Sequence, residues 1–153
     1  MATPALSQLL TSDFAYPLAV GTLGVYGVLI FAGSKVSSAR NAAKVDYPAA
    51  YADNALAERD AKAKAFNCAQ RAHANTLENL PIFLLTLFHS ALYHPKLAAA
   101  GGSLWIVGRL FYIQGYSTGS PKARGRGHFA YLSFLPMLFF SGYKAVTSLP
   151  VFH

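Results

Sequence analysis

The apolar positions of this chain fall in long blocks, not in the alternating or every-third-residue pattern of a soluble core. Phe14–Gly33 contains no charge, Thr76–Tyr93 only Glu78, Leu97–Tyr116 only Arg109, and His128–Pro150 only Lys144. Crossing ~30 Å of hydrocarbon takes about twenty helical residues at 1.5 Å each, and every block is long enough. The pattern predicts an all-α integral membrane four-helix bundle, one domain over 1–153 with helices over about 14–36, 62–93, 97–117 and 128–149.

Turn and breaker residues refine these boundaries. The first helix starts near Ser12 or Asp13, with Pro17 tolerated in its first turn. Gly21, Gly24 and Gly27 either admit a close neighbour or reflect the ordinary glycine enrichment of membrane helices. Tyr47-Pro48 disfavours helix in the first connection, Ser34–Ala65. Its alanine-rich, charged end, Ala55–Ala65, reads as a helical extension or a solvated loop. The second helix, from about Asp60 to Tyr93, would be about 50 Å long and project beyond the bilayer. Pro95 sets a tight second connection, Gly119, Pro121, Gly125 and Gly127 mark a basic loop, and Pro136 is expected to kink the fourth helix.

Composition supports the membrane reading: 54% of residues are hydrophobic and only 12% charged, against about a quarter charged in soluble domains. The net charge of +7 is not a nucleic-acid patch. Lys35, Arg40, Lys44, Arg59, Lys62, Lys64 and Arg71 follow the first segment, Lys122, Arg124 and Arg126 lie between the third and fourth, and the second connection holds only Lys96. The positive-inside rule places the first and third connections in the cytosol and both termini on the lumenal side. The first segment has no basic n-region and exceeds the length of a signal peptide's apolar core, so it is expected to stay as an anchor. The single Cys68 excludes an intramolecular disulfide. His89 and His94 lie about 140° apart on a helix, unsuited to one ion, and no metal is expected.

The polar residues inside the apolar blocks point to chemistry. Arg71, Asn75 and Glu78 stand at i, i+4 and i+7 of the second helix, within an arc of about 60°. Trp105, Arg109, Tyr112 and Tyr116 form a similar stripe on the third. Such groups cost roughly 2.5–3.5 kcal/mol each at membrane depth and must face protein or a water-filled cavity. Glu78 with Arg109 could be a structural ion pair joining the two helices. That pair leaves Arg71, Asn75, the tyrosines and the basic loop unexplained. Together they offer cations for carboxylates, an amide and a carboxylate for an ammonium, and phenolic donors. A small, anionic, zwitterionic ligand suits the set.

Phe66–Leu84, FNCAQRAHANTLENLPIFL, and Trp105–Gly119, WIVGRLFYIQGYSTG, resemble the membrane-associated proteins in eicosanoid and glutathione metabolism, the MAPEG family. Within it the chain looks most like the type-three microsomal glutathione S-transferases, and a weaker match begins at Ser38-Ala39-Arg40. The resemblance implies a homotrimer of four-helix subunits that holds glutathione, as co-substrate, between subunits near the cytosolic side. It assigns Arg71, Asn75, Glu78, Tyr112 and Tyr116 to the tripeptide, and Arg40 and His73 to contacts from the neighbouring subunit. Arg109 is structural or part of the ligand shell. Thiolate stabilisation falls to a loop arginine, Arg124 or alternatively Arg126. Asn79 stands where the leukotriene-C synthases have tyrosine and Asn41 where they have arginine, which counts against that activity.

The activity implied is conjugation of glutathione to lipophilic electrophiles, reduction of lipid hydroperoxides, or both. The endoplasmic reticulum is the expected location, with the outer mitochondrial membrane the alternative. The rival function is a non-enzymatic protein of the same fold that binds and presents lipid. A pure lipid presenter needs no Arg71–Asn75–Glu78 stripe and loop arginine together. A channel or transporter needs polar residues along its whole path, whereas here they cluster in one half.

Overall fold

The computed structural model of the chain describes residues 12–149, and every regular element among them is a helix. The elements are α1, Ser12–Ala43; α2, Asn54–Arg59; α3, Ala61–Ala91; α4, Pro95–Tyr116; and α5, Pro121–Thr147. The chain termini, whose side of the membrane the charge pattern predicts, lie outside the described residues. Local chemistry explains several starts. Asp53 accepts from the Ala55 N–H at 2.9 Å to cap α2, Asp60 accepts from Lys62 at 2.7 Å to cap α3, and Pro95 occupies the first turn of α4. The ambiguous stretch Ala55–Ala65 is thus helical on both sides of the Asp60 cap.

Two boundaries differ from the sequence-based expectation. The first helix does not end near residue 36 but continues to Ala43. Arg40 and Ala43 are buried beneath the chain that follows, so tertiary contact supports these extra turns where apolarity does not. The basic stretch expected as a loop before residue 128 is also helical. Pro121–Ala130 forms 3-10 turns that lead directly into the α-helical Tyr131–Thr147. Pro136 lies inside that helix without ending it, and Pro81 does the same in α3.

Among the described residues, α1 and α5 are long and apolar enough to cross a membrane. At 31 and 22 residues, α3 and α4 are also long, but the polar residues they carry lower their apolarity. The long helices pack around two successive cores, the first shared by all four and the second by α1, α3 and α4. One gathers Phe83, Leu87, Ala98, Trp105, Ala130 and Phe134, with Phe83 and Trp105 stacked at 3.8 Å between centroids. The other, toward the basic connections, gathers Val28, Ala32, Cys68, Ala72, Ile113 and Tyr116. Cys68 is therefore a packing residue. At the opposite end, Lys96 pairs with Asp13 at 3.2 Å, and His89 Nδ1 lies 2.7 Å from Ser141 Oγ.

Glycine permits the tightest contacts. A Cβ on Gly21 would come 2.5 Å from the Phe88 ring, and one on Gly24 would come 3.3 Å from Ile106. A Cβ on Gly27 would meet nothing within 4 Å among the described residues, so there two of the three glycines serve close packing. The basic segment lies on α4 almost backbone to backbone. A Cβ on Gly127 would stand 2.6 Å from Tyr112 Cβ, and one on Gly115 would collide with the Ala123 carbonyl. This contact sets Arg124 beside Tyr116 and Arg126 beside Gly115.

Candidate functional site

The polar residues of α3 and α4 converge on one region, but with partners that their spacing did not identify. Arg71 and Glu78, two helical turns apart, form a bidentate ion pair at 2.6 and 3.1 Å. Their side chains are 46% and 52% exposed, so the pair lies on an outer face of the chain. Glu78 therefore does not pair with Arg109, as the bridging reading of the two helices expected. The seven-residue spacing puts Arg71 on the same face of the helix as Glu78.

Arg109 sits inward and is only 5% exposed. Its guanidinium donates to Asn75 Oδ1 at 3.2 Å and to the Asn75 carbonyl at 3.4 Å. Trp105 and Tyr112 flank it, with ring centroids 5.1 and 4.9 Å away. Burying a cation without a carboxylate is costly, and aromatic faces with an amide offset part of that cost. Among the described residues, the Arg109 Nε has no hydrogen-bond partner. Asn75 thus binds α3 to α4, a role that the stripe alone did not reveal.

Tyr112 and Tyr116 meet edge to face at 5.8 Å, with Tyr112 half-buried and Tyr116 buried in the core. Arg124 is exposed and lies over the Tyr116 ring at 5.7 Å, whereas the exposed Arg126 packs its stem toward Gly115. The structure accordingly brings Arg71, Asn75, Glu78, Arg109, Tyr112, Tyr116 and Arg124 to one region of α3, α4 and the start of α5. His73 stands apart: it is half-buried and about 200° round α3 from Arg71. Arg40 is also elsewhere. It is buried at the end of α1 and donates to the carbonyls of Val45 and Ala49 in its own chain, at 3.2 and 2.8 Å.

Sequence reading passed over Asn67. It precedes Arg71 by one turn, so Asn67, Arg71, Asn75 and Glu78 follow one another at i, i+4, i+8 and i+11 on a single face. That extended spacing was the available signal. The Asn67 amide binds the first connection, accepting from the Ala52 N–H at 2.8 Å and donating to its carbonyl at 3.0 Å.

Long apolar helices that carry a polar region of arginines, an amide and tyrosines fit a small helical membrane protein. The family model "MAPEG family" matches residues 18–145, and the chain belongs to that family of membrane proteins. It is also similar to an uncharacterized protein of Synechocystis sp., with 42% identity over 53 residues. That stretch is 34% of this chain and 39% of the relative, so the match spans about two-fifths of the relative's length.

Proposed function

We propose that the protein uses glutathione to conjugate lipophilic electrophiles, to reduce lipid hydroperoxides, or both, in the manner of the microsomal glutathione S-transferases of its family. The observation that carries the reading is the exposed Arg71–Glu78 pair on α3, in a chain whose α4 carries the Tyr112–Tyr116 contact and whose basic segment lays Arg124 over Tyr116. Two opposite charges on an otherwise apolar outer surface can exchange each other for the carboxylate and ammonium of a zwitterion. Asn75 and the tyrosines add neutral hydrogen-bonding groups. In the same reading all four long helices cross the membrane, the basic connections face the cytosol, and the chains form a homotrimer. A neighbouring chain then covers the polar face, which lipid would solvate poorly.

The glutathione thiol has a pKa near 8.5 when free and is mostly protonated at neutral pH. Arg124 next to the sulfur favours the thiolate, and the proton passes to solvent. With an electrophile, the sulfur lone pair forms the new bond to carbon and the leaving group departs with its electron pair. With a hydroperoxide, the thiolate attacks the terminal oxygen and releases the lipid alcohol after protonation. A second glutathione then displaces water from the sulfenic acid, giving the disulfide.

The test is an assay of purified protein with a chromogenic electrophile and, separately, a lipid hydroperoxide, with and without glutathione. Turnover of at least one that requires glutathione is expected. Lipid binding with neither turnover nor glutathione binding would favour the lipid-presenting function instead. Mass measurement in mild detergent is expected to give three chains. A monomer that binds glutathione with undiminished affinity would remove the shared site.

A further inference from the structure

The first connection, residues 44–53, is attached to the helices on both sides of it. At its start, the Arg40 guanidinium holds the Val45 and Ala49 carbonyls and lies between the rings of Tyr47 and Phe66, at 4.1 and 4.6 Å. At its end, two hydrogen bonds, one donated by the Ala52 N–H to Asn67 and one donated by the Asn67 amide to the Ala52 carbonyl, fix Ala52, which is buried. Ala52 packs with Ala43, Ala63 and Phe66 in a small core of its own. The connection therefore keeps a defined position against α3.

That position matters because Asn67 begins the polar stripe. Asn67 and Arg71 are one turn apart on the same face, about 6 Å along the helix. Tyr51, the neighbour of Ala52, is thereby held near the turn of α3 that carries Asn67, one turn before Arg71. Its ring is 43% exposed, and among the described residues its hydroxyl makes no hydrogen bond.

We propose that the first connection forms one wall of the site on α3, with Tyr51 contacting the ligand and Asn67 and Arg40 acting as positioning residues. The inference rests on the glutathione reading above. The Tyr51 phenol donates to the carboxylate that Arg71 attracts, and a hydrogen bond to a charged acceptor is among the stronger neutral contributions. A ligand without a carboxylate gains nothing from it.

Calorimetric titration of the full chain in detergent with glutathione tests the wall, using wild type, Tyr51→Phe, Asn67→Ala and the double variant. Tyr51→Phe is expected to weaken binding about tenfold with an unchanged thermal midpoint. Asn67→Ala is expected to weaken it similarly, and the double variant to be no weaker than Asn67→Ala within about twofold, because one loss contains the other. A purely structural role for Asn67 would instead make the two effects multiply, and that overturns its positioning role. Binding by Tyr51→Phe that matches wild type overturns the wall while leaving the glutathione reading intact. Wild type that binds no glutathione overturns both. Should Asn67→Ala fail to fold, Tyr51→Phe decides the matter alone.

Discussion

In Arg124→Ala, the ultraviolet absorbance of the glutathione thiolate in the complex is expected to disappear. A cation beside a thiol lowers its pKa by favouring the charged form. A shift of about two units corresponds to roughly 2.7 kcal/mol and makes thiolate the major species at neutral pH. The folded site therefore matters most below the free thiol's pKa. Conjugation by the variant should fall on the order of ten- to a hundredfold near pH 6, and the deficit should shrink as pH rises past about 8.5, where free glutathione also ionises. Affinity for the tripeptide should change far less, because its charged ends are matched to Arg71 and Glu78, which pair with each other, and Arg124 lies over Tyr116. Arg126→Ala is the comparison. Its guanidinium is not the one stacked over Tyr116, so little loss is expected. If Arg126→Ala removes the thiolate and Arg124→Ala keeps it, the role belongs to Arg126. If neither variant changes the spectrum, thiol activation by this segment is wrong.

The second large effect is expected at Asn75, and the structure reverses the order of severity that the stripe suggests. With Glu78 and Arg109 as a bridging pair, Glu78→Ala would be the variant that disturbs folding. The observed contacts assign that position to Asn75, whose side chain and carbonyl both serve the buried Arg109. Asn75→Ala removes the side-chain acceptor from a cation that is only 5% exposed. Hydrogen bonds to charged groups contribute about 1.5–3 kcal/mol, which for a chain of this size is a fall in thermal midpoint on the order of 5 °C. Glu78→Ala leaves behind an arginine that is largely exposed, so its midpoint should move little while glutathione affinity falls. Thermal unfolding of the two variants in the same detergent checks the order. A midpoint that drops more in Glu78→Ala than in Asn75→Ala would show that Glu78 supports a buried cation in the assembled protein.

Periodicity made the stripes readable. The arcs drawn from spacing group Arg71 with Glu78 on α3, and Trp105, Arg109, Tyr112 and Tyr116 on α4, as the ion pair and the ring contacts show. Helical geometry alone dictates which residues share a face, so this much needs no knowledge of packing. Partner choice is different. Whether Glu78 turns along its own helix to Arg71 or across to Arg109 depends on the rotation and separation of α3 and α4. Those follow from contacts such as the Phe83–Trp105 stack, which no spacing encodes.

The first connection and the basic segment make the same point at larger scale. Their sequences look like loops because they are polar and interrupted by proline and glycine. Residues 44–53 are nevertheless held by Arg40 and Asn67, which lie on helices that flank them. Pro121–Ala130 is helical where Gly108, Gly115 and Gly127 let it lie against the backbone of α4.

By itself, then, the sequence determined that the chain is built from long apolar helices, where they run to within several residues, and which polar residues share a helix face. Apolar block length and the 3.6-residue period are local properties, and local properties survive whatever the rest of the chain does. Only the tertiary structure decided that Asn75, not Glu78, holds Arg109, that Arg40 is engaged by its own connection, and that Asn67 fixes Ala52. Each depends on side chains far apart in sequence meeting in one place, and that meeting is set by how the helices pack.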